Sequence, residues 1–169
     1  MKKTEILFIG VMLLLIAAAT SVNLLNSYRV SRDTQRKGDV QTVANALEAF
    51  LKDYDTYPES SEGRIVACAH GKEFRPCEWG EIFDEKYLKN LPRDPHFQDG
   101  VQYRYESNGR RFQIYASLEN PEEAEFNQTI HERGLSCGTH ICNFGKSSGV
   151  TPLDKTIESY ENELLLKKS

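Results

Sequence analysis

No proline occurs in the first 57 residues of this 169-residue chain, and the only glycines there are Gly10 and Gly38. The N-terminal third therefore has almost nothing to break a helix. Charge is missing over residues 6–25. Blocks of basic residues are absent as well: 21 Lys and Arg against 25 Asp and Glu leave a net charge of −4, spread along the chain. That excludes nucleic acid as the expected partner, since binding it needs a clustered Lys/Arg face. No H-E-x-x-H or phosphate-cradling glycine loop is present. His70, His96, His131 and His140 are scattered and read as surface or loop residues, and Glu122, Glu123 and Glu125 as a solvated acidic loop. No enzyme is indicated, and no internal repeat or low-complexity segment interrupts the chain.

The uncharged residues 6–25 are about as long as a helix must be to cross a bilayer. A cleaved export signal would have a shorter apolar core and then a small-residue site. Ala17, Ala18 and Ala19 offer such a site, but the apolar character continues through Val22, Leu24 and Leu25. Further on, Val40, Val43, Ala44, Leu47, Phe50, Leu51 and Tyr54 recur at spacings of three and four, with polar residues between them. That is an amphipathic helical pattern. The spacing predicts one continuous helix from about Thr4 to about Tyr54, roughly 75 Å long. Tyr57-Pro58 ends it, because the residue before a proline is pushed out of the helical region. Half of such a helix would lie in lipid, and the striped half must bury against the chain's own domain.

All four cysteines, Cys68, Cys77, Cys137 and Cys142, follow the apolar segment. In an exported domain an even count reads as two disulfides. Of the three pairings, the local one (Cys68 with Cys77, Cys137 with Cys142) is the simplest. A zinc site helped by His70 or His140 is the alternative, although zinc sites usually offer tighter Cys pairs than Cys68 and Cys77. Lys2 and Lys3 favour a cytoplasmic N-terminus, while Arg29, Arg32, Arg36 and Lys37 oppose it. Disulfides break the tie, because a reducing cytoplasm would not keep them. Residues 30–169 are therefore expected outside.

In the remainder, "RIVACAH" reads as a strand and "WGEIFDEKYLKNLP" as a short helix over about 80–89. "VQYRYES" and "RRFQIYASL" alternate around Asn108-Gly109, which signals a hairpin. A third strand is expected from "THICNF", and a loop or helical turn from "ENPEEAEFNQTIHERG". Leu153, Ile157, Tyr160 and Leu164 have helical spacing, so the C-terminus is either a short helix or a solvated tail. Trp79 is expected in core or loop packing rather than as a ligand platform.

"SRDTQRKGDVQTVANALEAFLKDYDTYP" resembles the end of the stalk helix in the type IV pilin and type II secretion pseudopilin family: an R-D-x-x-R/K-x-D-L run, an amphipathic helix and a Y-P end. "LPRDP" (residues 91–95) is similar to the family's L-P-x-D-P turn, "VQYRYESNGRRFQIYASLENP" to its hairpin, and "CGTHICNFGKSSG" to a disulfide-closed C-terminal loop. The resemblance covers residues 1–149 and implies an α+β, pilin-like fold, with a long N-terminal helix packed on a small antiparallel sheet. Its expected parts are a transmembrane half at 1–29, a globular domain at 30–149 and a tail or short helix at 150–169.

The function it implies is a structural subunit of a pilus-like or pseudopilus-like filament, assembling through its helix. A non-polymerising, membrane-anchored extracellular binding module is the alternative. Expected partners are the membrane, other pilin-like subunits as a homo- or hetero-oligomer, and the assembly machinery. Expected localisation is single-pass in the bacterial inner membrane, with the domain outside the cytoplasm and on the surface if assembled. Family precursors carry a glycine before the span, where a leader is cut; "MKKTE" has none there. Glu5 falls near the family's membrane glutamate, which is thought to meet a neighbouring subunit's N-terminal amine; the other reading places it passively at the headgroups. The family also implies calcium, for which Asp94 and Asp99 are the candidate oxygen ligands, unless they serve only as turn formers. No other cofactor is expected.

Overall fold

The computed structural model describes residues 3–70 and 73–167. One helix, α1 (Lys3–Tyr54), runs unbroken for 52 residues, about 78 Å at 1.5 Å per residue. Its two halves have opposite surroundings. Through residue 31 every described side chain is exposed. From there Asp33, Arg36, Val40, Val43, Ala44 and Leu47 are buried on one face, at helical spacing. The helix ends at Asp55, whose φ of +56° turns the chain aside, just before Tyr57-Pro58.

The domain is built from short antiparallel strands. A first sheet holds β1 (Glu59–Ser61), β2 (Arg64–His70) and β3 (Glu73–Pro76) in that order. Next come the paired strands β4 (Ile82–Asp84) and β5 (Leu88–Asn90), then a 3-10 turn at Phe97–Asp99. The central hairpin is β6 (Arg104–Ser107) with β7 (Phe112–Ala116), Tyr105 facing Ile114. A short helix, α2 (Gln128–Glu132), leads to the small pair β8 (Ser136–Cys137) and β9 (His140–Ile141). Finally β10 (Phe144–Ser147) joins the other edge of β7, and α3 (Ile157–Leu166) follows.

Strand β7 is the centre of the fold, and all five of its residues are buried. Phe112, Ile114 and Ala116 join Val40, Val43, Ala44 and Leu47 of α1 in the main core, with Tyr103, Tyr105 and Phe144. Tyr115, on the other face, packs with Ile130, Cys137 and Cys142. Gln113 on that same face donates to the backbone carbonyl of Lys155 at 2.8 Å, which ties down the segment ahead of α3. The tyrosine-rich hairpin thus has both faces covered, an α+β arrangement with a long helix on one side.

Two expected elements differ. The stretch 80–89 is not a helix but the β4–β5 pair. Its apolar residues do not share one face, since Phe83 is buried while its neighbour Ile82 is 56 % exposed. The Asp84 side chain accepts the Lys86 backbone N–H at 2.8 Å, and this local turn competes with a helix that would have been too short to stand alone. The third strand of the central sheet starts only at Phe144. His140 and Ile141 are used instead by the tight loop that Cys137–Cys142 closes. Gly138 allows that loop's close approach: at φ +74°, a Cβ there would lie 1.9 Å from the Gly100 carbonyl oxygen.

Candidate functional site

The helix leaves its exposed half and enters the domain at the run Arg32, Asp33, Arg36, Lys37 and Asp39. Residues three and four apart share a helix face, so Asp33 and Arg36 continue the apolar stripe of Val40, Val43 and Leu47 toward the exposed half of α1. Arg36 is 1 % exposed and its guanidinium is fully engaged. It grips Asp94 with two bonds, Nε to Oδ2 at 2.7 Å and Nη2 to Oδ1 at 3.0 Å. Its Nη1 reaches Asp33 Oδ1 at 2.8 Å and Glu119 Oε1 at 2.7 Å. Arg32 adds a second fork on Glu119, with Nε to Oε1 at 2.7 Å. Asp33 in turn accepts the backbone N–H groups of Glu119 and Asn120.

Three separate segments thereby meet around one buried cation: α1, the loop carrying "LPRDP", and the loop that follows β7. Burial works against the charge on Arg36, but the hydrogen bonds to Asp94, Glu119 and Asp33 outweigh it and raise its pKa. The bonds from Arg32, and then Arg36, hold the Glu119 carboxyl down at about 2 against the opposing effect of burial. Next to this cluster Lys37 pairs with Glu123 and Glu125. Tyr103 donates to Asp39 at 2.6 Å; burial pushes both groups' pKa values up, and for Tyr103 the Asp39 carboxylate adds to the effect. The arrangement clamps a rigid helix to a domain.

The other half of α1 is bare. Among the described residues α1 is the one helix long and apolar enough to cross a membrane, and none of its apolar window is buried. Thr20 and Ser21 donate to carbonyls one turn back, to Ile16 at 2.7 Å and Ala17 at 2.8 Å, so their hydroxyls are satisfied within the helix.

The sequence profile of the family described as "Type II secretion system (T2SS), protein G" matches residues 23–128, most of the chain. This chain belongs to that family. The protein G match begins in the exposed half of α1 and covers the clamp residues Arg32, Asp33, Arg36, Asp94 and Glu119. A Pseudomonas aeruginosa relative, "Type II secretion system core protein G", is 29 % identical over 116 residues, covering 66 % of this chain and 77 % of the relative. No solved structure matches.

Within this protein G fold the two disulfides are the local ones. Cys68–Cys77 closes the β2–β3 side of the first sheet, and Cys137–Cys142 closes the β8–β9 loop. No described cysteine is left free to serve zinc. Asp94, a calcium candidate by sequence, has both oxygens on Arg36, and its Oδ1 also accepts the His96 backbone N–H at 2.8 Å. Asp99 pairs with His96 Nδ1 at 2.7 Å. Among the described residues no three His, Cys, Asp or Glu side chains gather to hold a metal ion. Glu5 lies exposed in the first turn of α1, where a carboxylate is favoured by the helix dipole. Lys2 lies outside the described residues, as do the side chains of Lys3 and His70.

The sequence reading missed the clamp. From the sequence Arg36 is only one of four basic residues that oppose the expected orientation, and Asp94 a turn former or calcium candidate. Two signals pointed to it: the i, i+3 spacing of Asp33 and Arg36, and their position on the same face as the buried stripe.

Proposed function

We propose that this chain is a structural subunit of a type II secretion pseudopilus, held in the inner membrane by the first half of α1 and assembling through that helix. One observation carries the reading: a single rigid helix is apolar and uncovered along one half, and bolted to a folded domain along the other. A plain anchor needs only a flexible linker. A helix clamped at Arg36 transmits position and register from membrane to domain, which an ordered array requires. In assembly the apolar side chains of residues 6–25 would exchange lipid for neighbouring helices. Interhelical van der Waals packing drives such association, since lipid tails are as apolar as leucine.

Residues 30–167 lie outside the cytoplasm on this reading. The two disulfides support it. So does the clamp, because Arg32, Arg36 and Lys37, which oppose this orientation by charge, each carry acidic partners in the folded domain. The partners are other pseudopilin subunits and the secretion machinery, and the mechanism is assembly rather than catalysis. Overproducing the chain with its secretion system, then imaging sheared cell-surface material with an antibody to this chain, tests the reading. Labelled filaments are expected. A membrane-bound monomer without filaments would favour the non-polymerising binding module instead.

A further inference from the structure

We propose that a groove at the distal end of α1 receives the helix surface around Leu25, Tyr28 and Arg29 of a second copy of this chain. The proposal rests on the filament reading and names a contact by which one copy would hold another. The groove, about 390 Å³, opens between the end of α1 and strands β2 to β4. Phe50, Tyr54, Phe74 and Phe83 form its aromatic walls, and Glu59 and Asp84 stand at its edge. Phe74 is 71 % exposed and Tyr54 55 %, so a lone copy leaves much of this aromatic surface in water. Neither Glu59 nor Asp84 has a salt bridge among the described residues.

Surface of the complementary kind lies further down the same helix. Leu25 is 65 % exposed and Tyr28 55 %. Residues 26–31 fall beyond the roughly 20 residues that a bilayer covers and before Arg32, where contacts with the domain begin. Neither lipid nor the chain's own domain shields them. Arg29 points out of this stretch without a salt bridge among the described residues, unlike Arg32, Arg36 and Lys37. Tyr28 and Arg29 lie three and four residues beyond Leu25, so they flank it on either side of one helix surface, which suits an aromatic groove edged with carboxylates. Tyr28 can make edge or offset ring contacts with Phe74 or Tyr54. Arg29 can pair with Asp84 or Glu59, or lie over a ring.

Both surfaces sit on one rigid helix, so a copy cannot fill its own groove. Residues 28 and 54 are about 39 Å apart along α1 at 1.5 Å per residue. The contact is therefore heterologous, with the second copy displaced axially by about that distance. Repeated contacts of this type build an open helical array.

Photo-crosslinking of the full-length chain tests this, in cells where the unsubstituted chain is imaged for filaments. With p-benzoylphenylalanine in place of Tyr28, illumination should yield a covalent dimer whose joined peptide maps to the groove around Phe74. Arg29→Glu should lower filament yield at least about tenfold, the scale of a lost interfacial charge pair. Adding Asp84→Arg on the same chain should restore it. If filaments form but the adducts map to α3 or to another protein, the contact is overturned while the filament reading stands. Unchanged filament yield with Arg29→Glu overturns it equally. If the unsubstituted chain forms no filaments and the chain probed at position 28 gives no adduct, the filament reading fails and the contact fails with it. Where Arg29→Glu reduces the amount of chain in the membrane, the crosslink, which needs no charge change, decides.

Discussion

Arg36 shows how much depends on one side chain. Its removal would leave Asp33 and Asp94, both nearly sealed from water, without their counter-charge. Arg36→Ala is expected to destabilise the folded domain by about 3–5 kcal/mol, the usual effect of breaking a buried ion pair from one side. Urea unfolding of the chain in detergent measures this directly, because the single tryptophan, Trp79, is 1 % exposed and reports unfolding by its emission. Arg36→Lys should recover little, since an ammonium cannot form the two-bond fork on Asp94. Glu119 supplies a pH dependence. The folded state favours its ionised form, so its contribution is complete above the unfolded value of 4.5 and is lost as pH falls toward about 2. Thermal unfolding should show a falling Tm over that window, and Glu119→Gln should flatten the fall while lowering Tm at neutral pH. Only the i, i+3 pair of Asp33 and Arg36 was legible in the sequence; the partnerships with Asp94 and Glu119 were not. Residues 36, 94 and 119 are far apart in the chain, and a charged residue in a sequence reads as surface until the fold buries it.

The elements divide by length. A 52-residue helix with two patterned halves declares itself, because many residues repeat the same spacing. The hairpin at Asn108-Gly109 does so through its turn, where Gly109 adopts φ +79° and the Asn108 side chain accepts two backbone N–H groups. The short stretch 80–89 misled because ten residues hold too few repeats to separate a period of 3.6 from one of 2. Gly38 offers a test of how far α1 depends on its intrinsic propensity. It sits in the helix interior, exposed, with nothing within 4 Å of an added Cβ. Gly38→Ala should therefore stabilise the chain by about 0.5–1 kcal/mol, seen as a higher urea midpoint with an unchanged slope.

At the scale of the whole molecule, the long helix would join two solvents on the proposed reading. Its apolar half has no cover of its own, and its other half belongs to a disulfide-bonded domain. The chain should stay with the membrane fraction through an alkaline carbonate wash, whereas a version lacking residues 1–29 should be released into the soluble fraction. Release of the full chain by the wash would count against a spanning helix. The orientation signals that conflict in the sequence no longer compete equally in the folded protein, because Arg32, Arg36 and Lys37 are partnered by acids from loops 58 or more residues away, with Asp33 beside Arg36 on the helix itself.

By itself the sequence determined the helix, its two characters and the hairpin. Each of these is written in local periodicity or turn chemistry, which depends on neighbours in the chain. Tertiary structure alone decided that the β4–β5 stretch is extended, that the C-terminus forms α3, held at the β6–β7 turn through Glu161 and Tyr160, and that Asp94 answers Arg36. It also decided that aromatic side chains from α1, β3 and β4 share one groove. These outcomes depend on which segments meet in space, and burial then changes what each charged or aromatic group can do.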